Sequence, residues 1–125
     1  MNASQTIDQV AKRTGLTAYT LRYYERIGLL APVARAVGGQ RLYAPTDIAW
    51  LEFLLRLRTT HMTIGKMQTF AKLRSAGDST VAERRQMLES HLQDVQAEIV
   101  AMQKAVAALQ AKIDHYRGLE AKEDV

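Results

Sequence analysis

The sequence contains no cysteine, which excludes disulfides, thiolate metal sites and thiol redox switching. It has only 2 prolines in 125 residues and no Ser/Pro/Gly-rich stretch, so no disordered linker is expected. Its longest apolar runs are a few residues, too short to span a membrane as a helix. The opening MNASQTIDQVAKR lacks the apolar core of a secretory signal, and a cytoplasmic protein is expected. A chain of this length supports one modest core rather than two.

Enzyme chemistry is also missing. No Ser/His/Asp grouping, carboxylate pair or phosphate-cradling loop stands out. His61, His91 and His115 lack metal-ligand spacing and have no cysteine to partner them. Exposed or capping roles are expected for all three. Neither a catalyst nor a resident cofactor or metal is expected.

Acids are scarce at one end. Residues 1–77 hold 11 Lys/Arg against 4 Asp/Glu, whereas residues 78–125 hold 6 against 9. The net +4 therefore joins a basic portion to an acidic one, which suggests polyanion binding first and a separate task after it.

The basic portion is mostly helical in pattern. Thr6 caps a helix over Ile7–Arg13 that has Ile7, Val10 and Ala11 on one face. Gly15 supplies a turn and Leu16 a core plug. Thr17 then caps a second helix from Ala18 to Arg26, which Gly28 ends. Helix, short turn with glycine, helix is the outline of a helix-turn-helix. The second helix carries Arg22, Arg26, Tyr19, Tyr23 and Tyr24 with one acid, Glu25, a composition suited to a groove lined by phosphate. Between Leu29 and Tyr43 the pattern fits a hairpin turning at Gly38-Gly39.

Pro45 and Asp47 open a third helix to about Thr59, whose apolar residues nearly surround it. Thr63 caps a fourth, which Gly77 closes. Trp50, Phe53, Met62 and Met67 are expected in the core, with the lining of a small apolar-ligand pocket as their alternative role.

After Asp78-Ser79 the pattern is one long helix. Leu88, Leu92, Val95, Ile99, Met102, Val106, Leu109, Ile113 and Tyr116 alternate spacings of four and three. This is a heptad seam with Leu92, Ile99, Val106 and Ile113 at a and the others at d. At ~1.5 Å per residue it makes a rod of roughly 43 Å, longer than the domain before it is wide. Self-association is expected in preference to an amphipathic helix lying on its own domain.

IDQVAKRTGLTAYTLRYYERIGLL followed by GGQRLY closely resembles the winged helix-turn-helix of the MerR-type transcriptional regulators. The downstream helices and the single dimerisation helix extend the resemblance over nearly the whole chain. It implies a mainly α fold: a winged helix-turn-helix domain (1–77) with a small β-hairpin wing, then a coiled-coil dimerisation helix and short tail (78–125). It further implies an antiparallel homodimer on double-stranded promoter DNA. Each second helix would enter the major groove of a half-site of an inverted repeat, and the spacer would be distorted so that RNA polymerase can engage.

The resemblance assigns DNA contacts to Thr17, Tyr19, Thr20, Arg22 and Tyr23 of the second helix. In the wing it assigns them to Arg35, Gln40, Arg41 and Tyr43, with Arg58 as a further phosphate contact. Arg22 and Tyr19 are the candidates for base edges. Gln40 stands where many family members have an aromatic. Tyr24 is expected to face the core, and Glu25 to orient Arg22 or cap a turn. Metal, drug and oxidant sensors of the family use cysteines or a C-terminal effector domain; the sequence holds no cysteine, no effector domain is expected, and the effector is left open. The alternative reading is a coiled-coil adaptor or an architectural DNA-binding protein without a regulatory site.

Overall fold

The protein is described by a computed structural model, in which residues 3–123 are placed. Among the described residues nine elements follow in order: β1 (Gln5–Thr6), α1 (Ile7–Thr14), α2 (Ala18–Arg26), β2 (Ala34–Arg35), β3 (Arg41–Tyr43), α3 (Pro45–Thr59), α4 (Ile64–Ala76), a 3-10 turn (Asp78–Thr80) and α5 (Val81–Glu123). They group into two compact units, one running through Met87 and the other beginning at Leu88.

The helix starts follow from local hydrogen bonding. At α1 the Thr6 hydroxyl accepts from the Gln9 amide at 3.3 Å, while the Gln9 side-chain oxygen accepts from the Thr6 amide at 2.8 Å. Two otherwise orphaned amides are thereby satisfied. Thr17 and Thr63 cap α2 and α4 in the same way, accepting from the Thr20 and Lys66 amides. α3 begins instead with Pro45 in its first turn and the Asp47 carboxylate accepting from the Ala44 amide at 2.9 Å.

Gly15 ends α1 at φ +76, a left-handed backbone that glycine adopts without steric cost. Its amide bonds back to the Ala11 carbonyl at 2.9 Å. That turn swings the chain directly into α2.

A third strand adds to the expected hairpin. β3 is central in the order β1-β3-β2, pairing antiparallel with Gln5–Thr6 on one side and Ala34–Arg35 on the other. β1 escapes sequence reading because two residues show no alternation.

The core of the first unit gathers Val10, Leu21, Leu29, Leu30, Leu51 and Leu54, all essentially inaccessible. α3 crosses its middle with Ile48, Trp50, Leu51, Leu54 and Leu57 buried, although Phe53 stays 39% exposed. The Trp50 indole N–H donates to the Leu29 carbonyl at 2.8 Å. Its ring stacks on Phe70 at 5.7 Å and 6°, and the Arg74 guanidinium covers it at 4.7 Å. Met62 and Met67 are buried as core residues, whereas Leu16, the expected plug, is only half-buried. The Gln68 side chain donates to the Ile27 carbonyl at 2.8 Å and ties α4 to the end of α2.

The opening turns of α5 belong to this unit. Thr80 is buried, and its hydroxyl donates to carbonyl oxygens of Leu73 and Gly77. Arg84 in turn donates to the Thr80 hydroxyl at 3.1 Å and to the Gly77 carbonyl at 3.3 Å.

From Leu88 onward α5 stands as the second unit, and none of its described residues is buried. Leu88 and Val95 are half-buried. Leu92, Ile99, Met102, Val106, Leu109, Ile113 and Tyr116 are exposed, an apolar stripe facing water in the single chain. No helix among the described residues is long and apolar enough to cross a membrane.

Candidate nucleic-acid interface

α2 carries the side chains that sequence places at DNA, and its own geometry sorts them. With Leu21 and Tyr24 buried, the opposite face presents Tyr19 at 70% exposure and an exposed Arg22. Thr17 and Thr20 sit at the cap, where the Thr17 hydroxyl donates to that of Thr20 at 3.0 Å. Tyr23 is half-buried, with the Arg26 guanidinium over its ring at 5.3 Å. Tyr24 points inward as expected, and its hydroxyl accepts from Arg58 at 3.2 Å. This bond joins the end of α3 to α2 and leaves Arg58 itself exposed.

The wing lies beside this helix. Arg35 reaches across the hairpin to donate to the Gly39 carbonyl at 3.0 Å, and the Ala36 amide bonds to the Gln40 carbonyl at 2.7 Å. Gln40 is exposed, and Val37 stands fully in solvent at the tip.

Between wing and helices lies a cleft of about 450 Å³ lined by Thr6, Ile7, Asp8, Arg22, Arg35, Gly39, Gln40 and Arg41. Four of the sequence-selected residues (Arg22, Arg35, Gln40 and Arg41) therefore share one concavity, and three of them are cationic. α1 contributes its first turn to the same cleft, a contribution that periodicity does not reveal. A cationic concavity next to a protruding helix suits a phosphate backbone, because guanidinium groups make paired, charge-assisted hydrogen bonds to phosphate oxygens.

Two expectations are corrected. Glu25 does not orient Arg22: its carboxylate accepts from Nε of Arg41, at 3.3 and 3.4 Å to its two oxygens, and from the Val33 amide at 3.4 Å. The helix's one acid thus braces the wing from both sides of the hairpin.

Tyr43 is not positioned at a phosphate. It has no accessible surface, and its hydroxyl is enclosed without a hydrogen-bond partner among the described residues. β3 is the central strand and packs against both α1 and α3, so a side chain at its end falls between layers. Burial raises the pKa of this hydroxyl above its ordinary value, the nearby Arg41 opposes the rise, and the group stays neutral. Tyr43 supports the wing from within.

No group of three or more His, Cys, Asp or Glu among the described residues could hold a metal ion.

Comparison with known proteins agrees with this geometry. Residues 5–73 match the family model for the MerR HTH family regulatory protein, and residues 48–112 match that for MerR, DNA binding. An HTH-type transcriptional regulator of Haemophilus influenzae is 32% identical over 116 residues, covering 93% of this chain and 86% of its own. The HTH-type transcriptional regulator AdhR of Bacillus subtilis is 45% identical over 87 residues, which is 70% of this chain and 62% of that protein. Among solved structures, HiNmlR, a MerR family regulator lacking the sensor domain and bound to promoter DNA, superposes with a TM-score of 0.86 at 31% identity over 94% of each chain. A MerR family transcriptional regulator from Listeria monocytogenes gives 0.88 at 31% identity, over 97% of this chain and 93% of that one. The chain belongs to the MerR family of HTH transcriptional regulators.

Proposed function

We propose that the chain binds an inverted-repeat promoter operator as a homodimer and distorts the DNA between the two half-sites, which brings RNA polymerase into productive contact with the promoter. The observation that carries this reading is the convergence of Arg22, Arg35 and Arg41 in one cleft between α2 and the wing. HiNmlR, similar along nearly its whole length, was solved on promoter DNA, which supports the same partner here.

Residues 1–77 read the DNA and residues 78–125 join two copies, with the first turns of α5 packed into the reading unit. Arg22 and Tyr19 reach base edges from the exposed face of α2, while Thr17, Thr20 and Tyr23 flank them. Arg35, Gln40, Arg41 and Arg58 hold phosphates, which sets position without choosing sequence. Contacts at both half-sites offset the deformation of the DNA between them, which costs on the order of 1–6 kcal/mol.

The test is footprinting on the region upstream of the protein's own gene, followed by binding titrations on the protected sequence and on random duplex. A protected inverted repeat, bound far more tightly than random duplex and with strong salt dependence, is expected. Diffuse protection with equal affinity for both duplexes would refute the proposal.

A further inference from the structure

We propose that a second cleft, between the loop 28–32 and the last turns of α4, binds a small planar aromatic carboxylate. It has a volume of about 290 Å³ and lies wholly within the first unit. Ligand pockets run upward from about 300 Å³, so the space suits one ring or two fused rings and nothing larger.

The floor selects a ring. Leu29, Leu30 and Ala71 are buried and apolar, and the Trp50 indole joins them, fixed by its hydrogen bond to the Leu29 carbonyl. A flat apolar face packs well on such a surface.

The charged groups select an anion. Lys72 is exposed and Arg74 half-buried; both line the cleft, and neither forms an ion pair among the described residues. An arginine in the last turn of α4 complements the helix dipole wherever its side chain goes. This one goes over the indole, 4.7 Å from the ring centre, and so brings a fork of donors to the edge of an apolar floor. The only acid of the lining, Glu25, is already held by Arg41 and the Val33 amide and neutralises neither cation. A ring on the floor with its carboxylate between Lys72 and Arg74 satisfies both halves of the site. An aromatic amine would meet two cations and a carboxylate that is already paired.

The cleft also touches the wing. Glu25 lines it while holding Arg41, which lines the cationic cleft with Arg22 and Arg35. The loop 28–32 leads from α2 toward β2. A ligand that fixes this loop holds helix and wing in one arrangement and raises operator affinity by pre-organisation. That coupling rests on the DNA reading above, whereas the binding of the ligand does not.

Trp50 is the sole tryptophan, is 5% exposed and lines the cleft, so its fluorescence reads occupancy. The full-length protein is titrated with benzoate, benzamide and benzylamine at constant ionic strength, and with 2-naphthoate by calorimetry. Saturable binding of both carboxylates is expected, with benzamide about ten-fold weaker and benzylamine weaker still. Lys72→Glu, at an exposed position, should keep the parent's urea melt and lose about ten-fold in carboxylate affinity, and Arg74→Gln should lose as much.

An unsaturable response to both carboxylates would overturn the site. So would equal affinity for benzoate, benzamide and benzylamine, or parental carboxylate affinity in both variants. With the site occupied, the parent should bind its operator several-fold more tightly and Lys72→Glu should show no change. Unaltered operator affinity in a protein that binds benzoate would overturn the coupling and leave the site standing. A protein that binds no operator would refute the DNA reading, and the fluorescence titration would still decide the site.

Discussion

Glu25 on α2 and Arg41 on β3 are joined across the edge of the cleft between α2 and the wing, with Nε of the arginine 3.3 and 3.4 Å from the two carboxylate oxygens. Both side chains are mostly covered, at 14% and 20% exposure, so the pair is screened less than a surface one. It fixes the wing's angle against the helix that it accompanies.

Replacing Glu25 by glutamine keeps an acceptor for the Val33 amide but removes the charge that holds Arg41. We expect a loss of about 1 kcal/mol, a drop of about 4–8 °C in a thermal melt of a domain this size. The salt dependence of DNA binding should stay as steep as in the parent. Arg41→Ala should lower stability to a similar degree and also flatten the log–log salt slope by about 1, because a phosphate contact is lost. Identical slopes for the two variants would remove Arg41 from the DNA interface.

Arg22 and Arg35 line the same cleft yet should fail differently. Arg22→Ala should cost about 1–3 kcal/mol on the operator and little on random duplex, so that discrimination collapses. Arg35→Ala should weaken binding to both duplexes alike. Fluorescence anisotropy at two salt concentrations separates the outcomes, and uniform weakening by Arg22→Ala would reassign it to the backbone.

Trp50 is the sole tryptophan, and its indole N–H satisfies the buried carbonyl of Leu29. Trp50→Phe leaves that carbonyl without its donor and should cost about 1–3 kcal/mol, read by circular dichroism in urea. In the parent protein, tryptophan fluorescence should report unfolding of the first unit alone. A Trp50→Phe variant as stable as the parent would show that the hydrogen bond contributes nothing net.

Leu92→Asp combined with Val106→Asp places carboxylates on the exposed stripe of α5. Sedimentation should then give monomer, with operator affinity reduced by orders of magnitude while the melt of the first unit is preserved. An unchanged dimer would mean that the seam lies elsewhere.

Much of this fold was legible because its boundaries are chemical. Thr6, Thr17, Thr63 and Pro45 are strong start signals, and the structure begins α1, α2, α4 and α3 at or beside them. The unbroken heptad likewise marked α5. Sidedness was harder to read. Tyr43 follows Arg41 by two residues on one face of β3, and only the layers packed on that strand decide that the arginine keeps access while the tyrosine loses it. Glu25 was equally opaque, since Arg41 lies 16 residues away and the hairpin alone brings it near. α2's exposed face could be inferred from periodicity, but the cleft could not, because α1, α2 and the wing each supply part of it.

The stripe on α5 is uncovered in the single chain while the first unit has a complete core of its own. Given the proposed pairing, folding and reading become separate events: a lone copy folds at any abundance, whereas the functional reader forms by a second-order step. Operator occupancy would then rise with the square of protein concentration in the dilute range. A modest change in synthesis or turnover would produce a steep change in promoter output, giving the regulator a threshold without any bound signal.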